Sequence, residues 1–185
     1  MTFSKIQLCS NALILLGHTP ISSLTEPTAG AKVASNLYDS SLLSILCSHR
    51  WKFATKKALL ARLADAPQNQ YQFQYQLPSD MVMLITTYPS STYSVYGDKL
   101  YSDSDKVEID YIYLVSETAF PAYFIKCFEY YLAMQFAVPI MDDLNKIDVM
   151  SRLYEKESRI ARYADSQSTP QTPIQDDPYI RVRMF

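Results

Sequence analysis

The sequence predicts an α+β fold, in which an antiparallel bundle of about four helices carries an inserted small antiparallel β-domain and an extended C-terminal tail. Hydrophobic residues recur at helical spacing towards both ends of the chain, whereas they alternate with polar residues in the middle. After residue 165, proline, serine, glutamine and threonine replace the helical pattern. The predicted parts are the first half of the bundle, the β-domain, the second half of the bundle and the tail, at 1–60, 61–117, 118–165 and 166–185.

The first two helices are marked by their ends. One is predicted over 4–16, because Ser4 and Gln7 have the spacing of a capping box and Gly17 supplies the left-handed conformation that ends a helix. The other is predicted over 28–47, where apolar residues recur every three or four positions.

The sequence pattern in the middle of the chain predicts strands. Residues 51–63 fit a helix poorly, so we favour an extended segment that enters the sheet, with a helix as the alternative. Over 71–77, aromatic residues and leucine alternate with glutamines, which predicts a strand with one buried face and one amide face. With a hairpin turn at Gly97 and Asp98, the sequence predicts one tyrosine-rich meander of four to five strands, the later ones at 81–88, 93–96, 99–101 and 107–113.

Two more helices are predicted after the strands. Pro121 suits the first helical position of one of them, and Pro139 is expected to stop it. Asp142 and Asp143 offer an N-cap for the last helix, which is expected to reach Asp165. Two exposed ion pairs at i,i+4 spacing are predicted on that helix, namely Asp148–Arg152 and Glu155–Arg159.

The tail becomes apolar again after its polar stretch. This pattern favours a docking segment on a neighbouring surface, with a strand that returns to its own sheet as the alternative. The predicted docking residues are Tyr179, Ile180, Arg181, Val182, Arg183, Met184 and Phe185.

The composition excludes several functional classes. The chain has 185 residues, a net charge of −2 and only three glycines. Because Gly17, Gly30 and Gly97 lie far apart, neither a glycine-rich phosphate loop nor a G-x-S-x-G motif is present. The near-neutral charge gives no overall indication of nucleic-acid binding.

Catalysis has little support in the sequence. His18 is placed in a loop, and His49 is placed at a helix end, where we expect it to complement the helix dipole. Cys9, Cys47 and Cys127 have no metal-ligand spacing and are expected to be buried free thiols. We therefore expect no enzyme activity, cofactor or metal.

One basic cluster is the strongest candidate for ligand binding. It is interleaved with Trp51 and Phe53, as in surfaces that bind phosphates and stack bases. The interpretation that we favour is a solvated positive face with both aromatic residues in the core. The cluster consists of Arg50, Lys52, Lys56, Lys57 and Arg62.

The order of three stretches resembles one family. These are a helix ending at Gly17 followed by the segment from Trp51 to Ala54, then the strand that runs into Pro78 and Asp80, and then a strand at 107–112 followed by a helix after Phe120 and Pro121. Together they are similar to the tail tubular protein A family, the head-to-tail adaptors of short-tailed bacteriophages. The matching residues, which we expect to determine the fold, are Gly17, Trp51, Phe53, Tyr75, Leu77, Pro78 and Asp80.

The resemblance implies a structural role. Members form a dodecameric ring between the capsid portal and the tail nozzle, and DNA passes through the lumen. The implied partners are therefore other copies of the chain, the portal protein, the nozzle protein and transiently DNA, with no membrane. The implied location is the head–tail junction of the virion, after synthesis in the host cytoplasm. A nucleic-acid-binding module that uses the basic cluster stays open as the alternative function.

Overall fold

The computed structural model of the protein describes residues 3–141 and 144–168. These residues form four helices and seven strands, which confirms a mixed α+β fold. The helices are α1 (Lys5–Leu15), α2 (Ala29–Cys47), α3 (Ala122–Ile140) and α4 (Leu144–Ser166). The strands are β1 (Thr55–Leu59), β2 (Ala61–Arg62), β3 (Phe73–Gln76), β4 (Met81–Tyr88), β5 (Tyr93–Tyr96), β6 (Lys99–Ser102) and β7 (Glu108–Tyr113).

The ends of α1 form as predicted. The Ser4 hydroxyl accepts a hydrogen bond from the Gln7 backbone N–H, and the Gln7 side chain accepts one from the Ser4 backbone N–H, which completes the capping box. Gly17 follows the helix with φ +76°, a left-handed conformation that strains other residues. At α2 the Thr28 hydroxyl accepts from the Ala31 N–H, so this helix also begins where the sequence indicates.

The ends of α3 and one ion pair on α4 differ from prediction. Pro121 is the N-cap and not the first helical residue, because its backbone is extended and its carbonyl accepts from the N–H groups of the next turn. Pro139 lies inside the last turn of α3 and not at its end. On α4 the Asp148–Arg152 pair forms at 2.7 Å, whereas Arg159 donates its Nε to the backbone carbonyl of Glu155.

The strands form two antiparallel sheets, so the prediction of a single meander is wrong. One sheet has the order β1-β7-β4 and the other has the order β2-β3-β6-β5. Only Leu60 separates β1 from β2, and its N–H donates to the Val107 carbonyl. The chain therefore passes from one sheet into the other at Leu60, and β7 returns to lie between β1 and β4. The hairpin between β5 and β6 forms at Gly97, with φ +61°.

The segment 51–63 combines two local structures. A 3-10 turn covers Lys52–Ala54, and the extended segment predicted for this region begins only at Thr55. The Thr55 hydroxyl donates to the Trp51 carbonyl at 2.7 Å, which closes the turn before the strand starts.

Two hydrophobic cores stabilise the molecule. In the helical core, α3 packs against α1, α2 and α4, and the rings of Trp51, Phe53, Phe120, Phe124 and Phe128 pack together beside them. The sheet core is smaller. Its buried members are Leu60, Tyr75, Leu77, Leu100, Val107, Ile109 and Tyr111.

The predicted amide face of β3 is only partly exposed. Gln72 is exposed as expected, but Gln74 is buried. Its side-chain amide donates to the Asp65 carbonyl at 2.9 Å, because the loop before β3 folds over this position. A strand's own alternation does not reveal such a covering loop.

Candidate interaction surfaces

Three members of the basic cluster lie on the strands and are paired with acids. The Lys56 ammonium lies 2.8 Å from the Asp80 carboxylate, and the Arg62 guanidinium lies 2.9 Å from Asp105. Lys57 faces Asp110 across β1 and β7 at 3.6 Å. These acids come from distant parts of the sequence, so the cluster looks free of acids only when it is read along the chain.

The same three cations also lie over aromatic rings. Lys56 lies 3.7 Å from the ring centre of Tyr113, Lys57 lies 5.5 Å from that of Tyr88, and Arg62 lies 4.0 Å from that of Phe73. Such contacts stabilise a cation in place. The hydrogen bond to Asp80 raises the pKa of Lys56, and the same bond lowers the pKa of Asp80. These three side chains therefore already have partners on the sheet surface and are poorly placed to bind a phosphate group.

The aromatic residues of the cluster lie inward. Trp51 is 1% exposed, and its indole N–H donates to the Ile45 carbonyl at 2.9 Å. Phe53 is half-buried against Phe124, with ring centres 4.7 Å apart. Neither ring offers an exposed face on which a base could stack.

The other two members of the basic cluster, Arg50 and Lys52, lie with Arg162 of α4 where α4 meets the 3-10 turn. Arg50, Lys52 and Arg162 are exposed, and none of their side chains forms an ion pair within the described residues. Arg162 and Lys52 both lie close enough to act on His49, since they add to the lowering of its pKa that burial mainly causes. Among the described residues, this junction therefore offers a cationic surface that is not neutralised by paired acids.

Asp165 is a buried polar centre at this junction. It is 1% exposed, and its carboxylate accepts hydrogen bonds from the Lys52 backbone N–H at 2.9 Å and from the Tyr123 hydroxyl at 2.8 Å. His49 Nε2 lies 3.8 Å from the same carboxylate. Asp165 thus joins the end of α4 to α3 and to the turn after α2.

His49 lies just after the end of α2, as the sequence predicts, and it has contacts that the sequence did not show. Its ring packs edge-on against Trp51, with ring centres 4.9 Å apart, and it faces Asp165. Burial lowers the pKa of His49, Arg162 and Lys52 lower it further, and Asp165 opposes them. At the end of α2 the His49 ring therefore packs between Trp51 and the buried Asp165 carboxylate.

The predicted fold determinants fall into both cores and the turn between them. Tyr75 and Leu77 belong to the sheet core. The Pro78 carbonyl accepts from the Met81 N–H in the turn before β4, and Asp80 in that turn also accepts from the Tyr111 hydroxyl.

An apolar groove lies between α2 and the segment after β7. It consists of two adjoining depressions of about 340 and 530 Å³, both lined by Leu43 and Leu114. These two leucines are 42% and 51% exposed, so the groove presents apolar surface to the solvent. The lining also includes three acids, Asp39, Asp80 and Glu117.

A second exposed apolar area lies on β5. Among the described strands it pairs only with β6, so no described strand covers its other edge. Tyr93, Val95 and Tyr96 on β5 are exposed by 40%, 40% and 63%, and Tyr88 at the end of β4 is exposed by 47%. An unpaired strand edge with exposed apolar side chains is a site where another chain can bind.

The cysteines are all free thiols, but one is placed differently from prediction. Cys9 and Cys127 are buried, and burial raises the pKa of each to about 12. Cys47 is exposed at the end of α2 and lines the apolar groove. Its position on the outer face of the helix could not be read from residue type alone.

The predicted docking residues from Tyr179 to Phe185, and the Asp142–Asp143 cap, lie outside the described residues. Within residues 3–141 and 144–168, no helix is long and apolar enough to cross a membrane, and no three potential metal ligands come together. No family model matches the chain, and no curated protein is significantly similar to it.

Proposed function

We propose that the protein is a structural adaptor that assembles as a dodecameric ring between a viral portal and a tail nozzle, at the head–tail junction of a virion. In this function the segment 179–185 docks on the portal, and DNA passes through the ring without being held. The protein carries no catalytic role. The proposal also includes a domain arrangement, in which the helices form one bundle, the strands form a β-domain inserted into it, and the C-terminal tail docks on a partner.

One observation carries the proposal. The stretches that give the family resemblance lie far apart in the sequence, yet their aromatic residues meet in one place. Trp51 and Phe53, which precede the strands, pack on Phe124, which follows them, at ring-centre distances of 5.1 and 4.7 Å. This packing supports the fold that the family resemblance implies, because residues from stretches that match the family in their order also contact each other.

The exposed apolar side chains suit repeated contacts between copies. The β5 edge lies on the sheet side, whereas Val138 on α3 and Ile160 and Tyr163 on α4 lie on the helical side and are 50–67% exposed. A ring in which every contact is head-to-tail needs two different complementary surfaces on each subunit. The chain exposes apolar side chains on two different sides, as such a ring requires.

The charge distribution suits a DNA conduit. Each lysine–phosphate contact adds affinity and would slow the passage of DNA. The chain carries a net charge of −2, and Lys56, Lys57 and Arg62 are paired with acids of the same subunit. A lumen built from such subunits would hold DNA only weakly.

The proposal is tested by mixing the chain with the portal protein of the same virus and measuring the mass of the complex. We expect the portal mass to increase by that of a dodecamer of the 21.2 kDa chain. The variant V182D/M184D should lose this increase, whereas Q171D/T172D, with the same added charge in the polar stretch, should retain it. A wild-type chain that does not bind the portal, or that binds as single copies, would contradict the proposal.

A second candidate function is nucleic-acid binding, and the unpaired cations at the α4 junction favour it. Its binding residues would be Arg50, Lys52 and Arg162, not the strand lysines. It is tested by the salt dependence of DNA affinity, in which R50E/K52E should reduce the slope of log K against log salt and K56E/K57E should have less effect. Absence of measurable DNA affinity at low salt would exclude this function.

A further inference from the structure

The apolar groove has a chemical character that limits what can fill it. Its floor contains Leu42, Leu43, Leu114 and Val115, and its lining residues include three acids and no lysine or arginine. Asp39 and Asp80 are each paired with one lysine, and Glu117 accepts one hydrogen bond from the Tyr38 hydroxyl. A carboxylate has room for several donors, so all three can accept more. The groove therefore fits a segment that is both apolar and cationic.

The sequence contains one such segment outside the described residues. Between 179 and 185, two arginines stand among five apolar or aromatic residues. In an extended chain Ile180, Val182 and Met184 would point to one side, and Arg181 and Arg183 to the other. One side would lie on the leucine floor, while the long arginine side chains would reach the acidic rim.

The distance along the chain also fits. Asp165, near the end of α4, accepts a hydrogen bond from the Lys52 backbone, and Lys52 lies five positions after Cys47, which lines the groove. Since Cys47 is the last residue of α2 and Asp165 contacts the turn that follows this helix, the end of α4 lies towards the same end of α2 as Cys47. The ten residues 169–178 span up to ~33 Å when extended, so the segment can reach the groove of its own subunit.

We propose that the groove between α2 and the segment after β7 binds residues 179–185 of the same chain in the free subunit. The complementary apolar and charged groups supply the affinity, and the tether supplies a high local concentration. If these residues also dock on the portal, they must leave the groove first, a consequence that rests on the proposed function. Subunits held in this state would then keep their docking segment covered until they meet the portal.

Cys47 is a natural probe of this groove. It is exposed and lines the groove, whereas Cys9 and Cys127 are buried and hold their protons at neutral pH. A thiol reagent therefore reports on Cys47 without any engineered residue. The measurement uses the full chain alone, so its result does not depend on whether the protein is an adaptor.

The experiment compares the rate of Cys47 labelling in three full-length forms at low concentration. A tethered segment acts at an effective concentration on the order of mM, so it should cover the groove and Cys47 most of the time. We therefore expect V182D/M184D to be labelled at least about tenfold faster than the wild type. The matched control Q171D/T172D should be labelled as slowly as the wild type. Equal rates in all three forms would overturn the proposal, and so would protection that disappears on dilution, since this would mean that a second copy fills the groove.

Disulfide trapping provides an independent check. M184C and T172C each place one new thiol on the chain, and mild oxidation links it to Cys47. For a chain that moves freely, the nearer residue 172 would link faster, because loop closure favours shorter loops. We expect residue 184 to link faster and within one chain. Faster linkage of residue 172, or linkage only between two chains, would overturn the proposal.

Discussion

The two cores of the protein are stabilised in different ways. The helical core is large and apolar, and α3 contacts every other described helix within it. A polar group that enters it has a partner in the case of Glu129, whose buried carboxylate accepts a hydrogen bond from the Asn11 amide at 2.6 Å. The sheet core is small, and the strands around it carry ion pairs and cation–π contacts on their surface.

This difference assigns most of the stability to the helical core and leaves the sheet surface available for recognition. A large apolar core contributes most of the stability of a domain, whereas exposed ion pairs contribute little. The exposed residues Tyr93, Val95 and Tyr96 of β5 belong to neither core, so this edge can serve recognition without being part of either core. The tyrosines fall into both groups, since Tyr38 and Tyr75 are buried while Tyr93 and Tyr96 are exposed.

The largest effect is expected from Phe124→Ala. Phe124 is fully buried and packs on Trp51, Phe53, Phe120 and Phe128. Loss of this ring leaves a cavity that should lower the free energy of unfolding by about 4 kcal/mol. Denaturant unfolding followed by the fluorescence of the single tryptophan measures it. Val138→Ala, at a 67% exposed position of the same helix, is the control, and similar losses in both would contradict the assignment of the main core.

A smaller loss is expected from Asp165→Ala. Removal of this carboxylate leaves the Lys52 N–H and the Tyr123 hydroxyl without their acceptor. A buried donor without a partner is costly, so we expect a loss of about 3 kcal/mol. The control on the same helix is Asp148→Ala, whose ion pair with Arg152 is exposed. If both variants unfold at the same denaturant concentration, Asp165 does not join α4 to the rest of the helical core.

The pH dependence of stability tests the same junction. Burial lowers the pKa of His49 below its usual value of 6.5 in the folded protein. The unfolded chain therefore binds more protons than the folded one as the pH falls through that value, and stability decreases. We expect His49→Asn to lose less stability than the wild type between about pH 7.5 and pH 5.5. Equal slopes for the two proteins would show that His49 titrates alike in both states.

The smallest effect is expected from Arg62→Met on the sheet. Arg62 lies 2.9 Å from Asp105, and the two side chains are 52% and 71% exposed. Exposed ion pairs are weak, so the free energy of unfolding should fall by about 0.5 kcal/mol at most. High salt should reduce the difference further. A loss as large as that of Asp165→Ala would mean that the strand ion pairs stabilise the fold as strongly as the buried centre does.

Local signals in the sequence were sufficient for several element ends. The capping box of Ser4 and Gln7, the left-handed Gly17 and the hairpin at Gly97 each depend on a few neighbouring residues. The burial of Trp51 also agrees with the interpretation favoured from its residue type. The class of fold followed from the change between helical and alternating spacing.

Contacts between distant residues could not be predicted in this way. Asp165 and the Lys52 backbone lie 113 positions apart in the sequence. From the sequence alone, a carboxylate at the end of an amphipathic helix is therefore expected to be exposed, whereas Asp165 is buried. The pairing of Lys56 with Asp80 and of Arg62 with Asp105 likewise depends on how two sheets fold together. For this reason the sequence indicates a basic cluster, whereas the fold neutralises most of it.

The adaptor function is tested most directly by electron microscopy of the chain bound to the portal protein of the same virus. The account predicts a dodecameric ring on one face of the portal, with density from each subunit reaching the portal surface. Portal particles that remain bare when the chain is present in excess would contradict it.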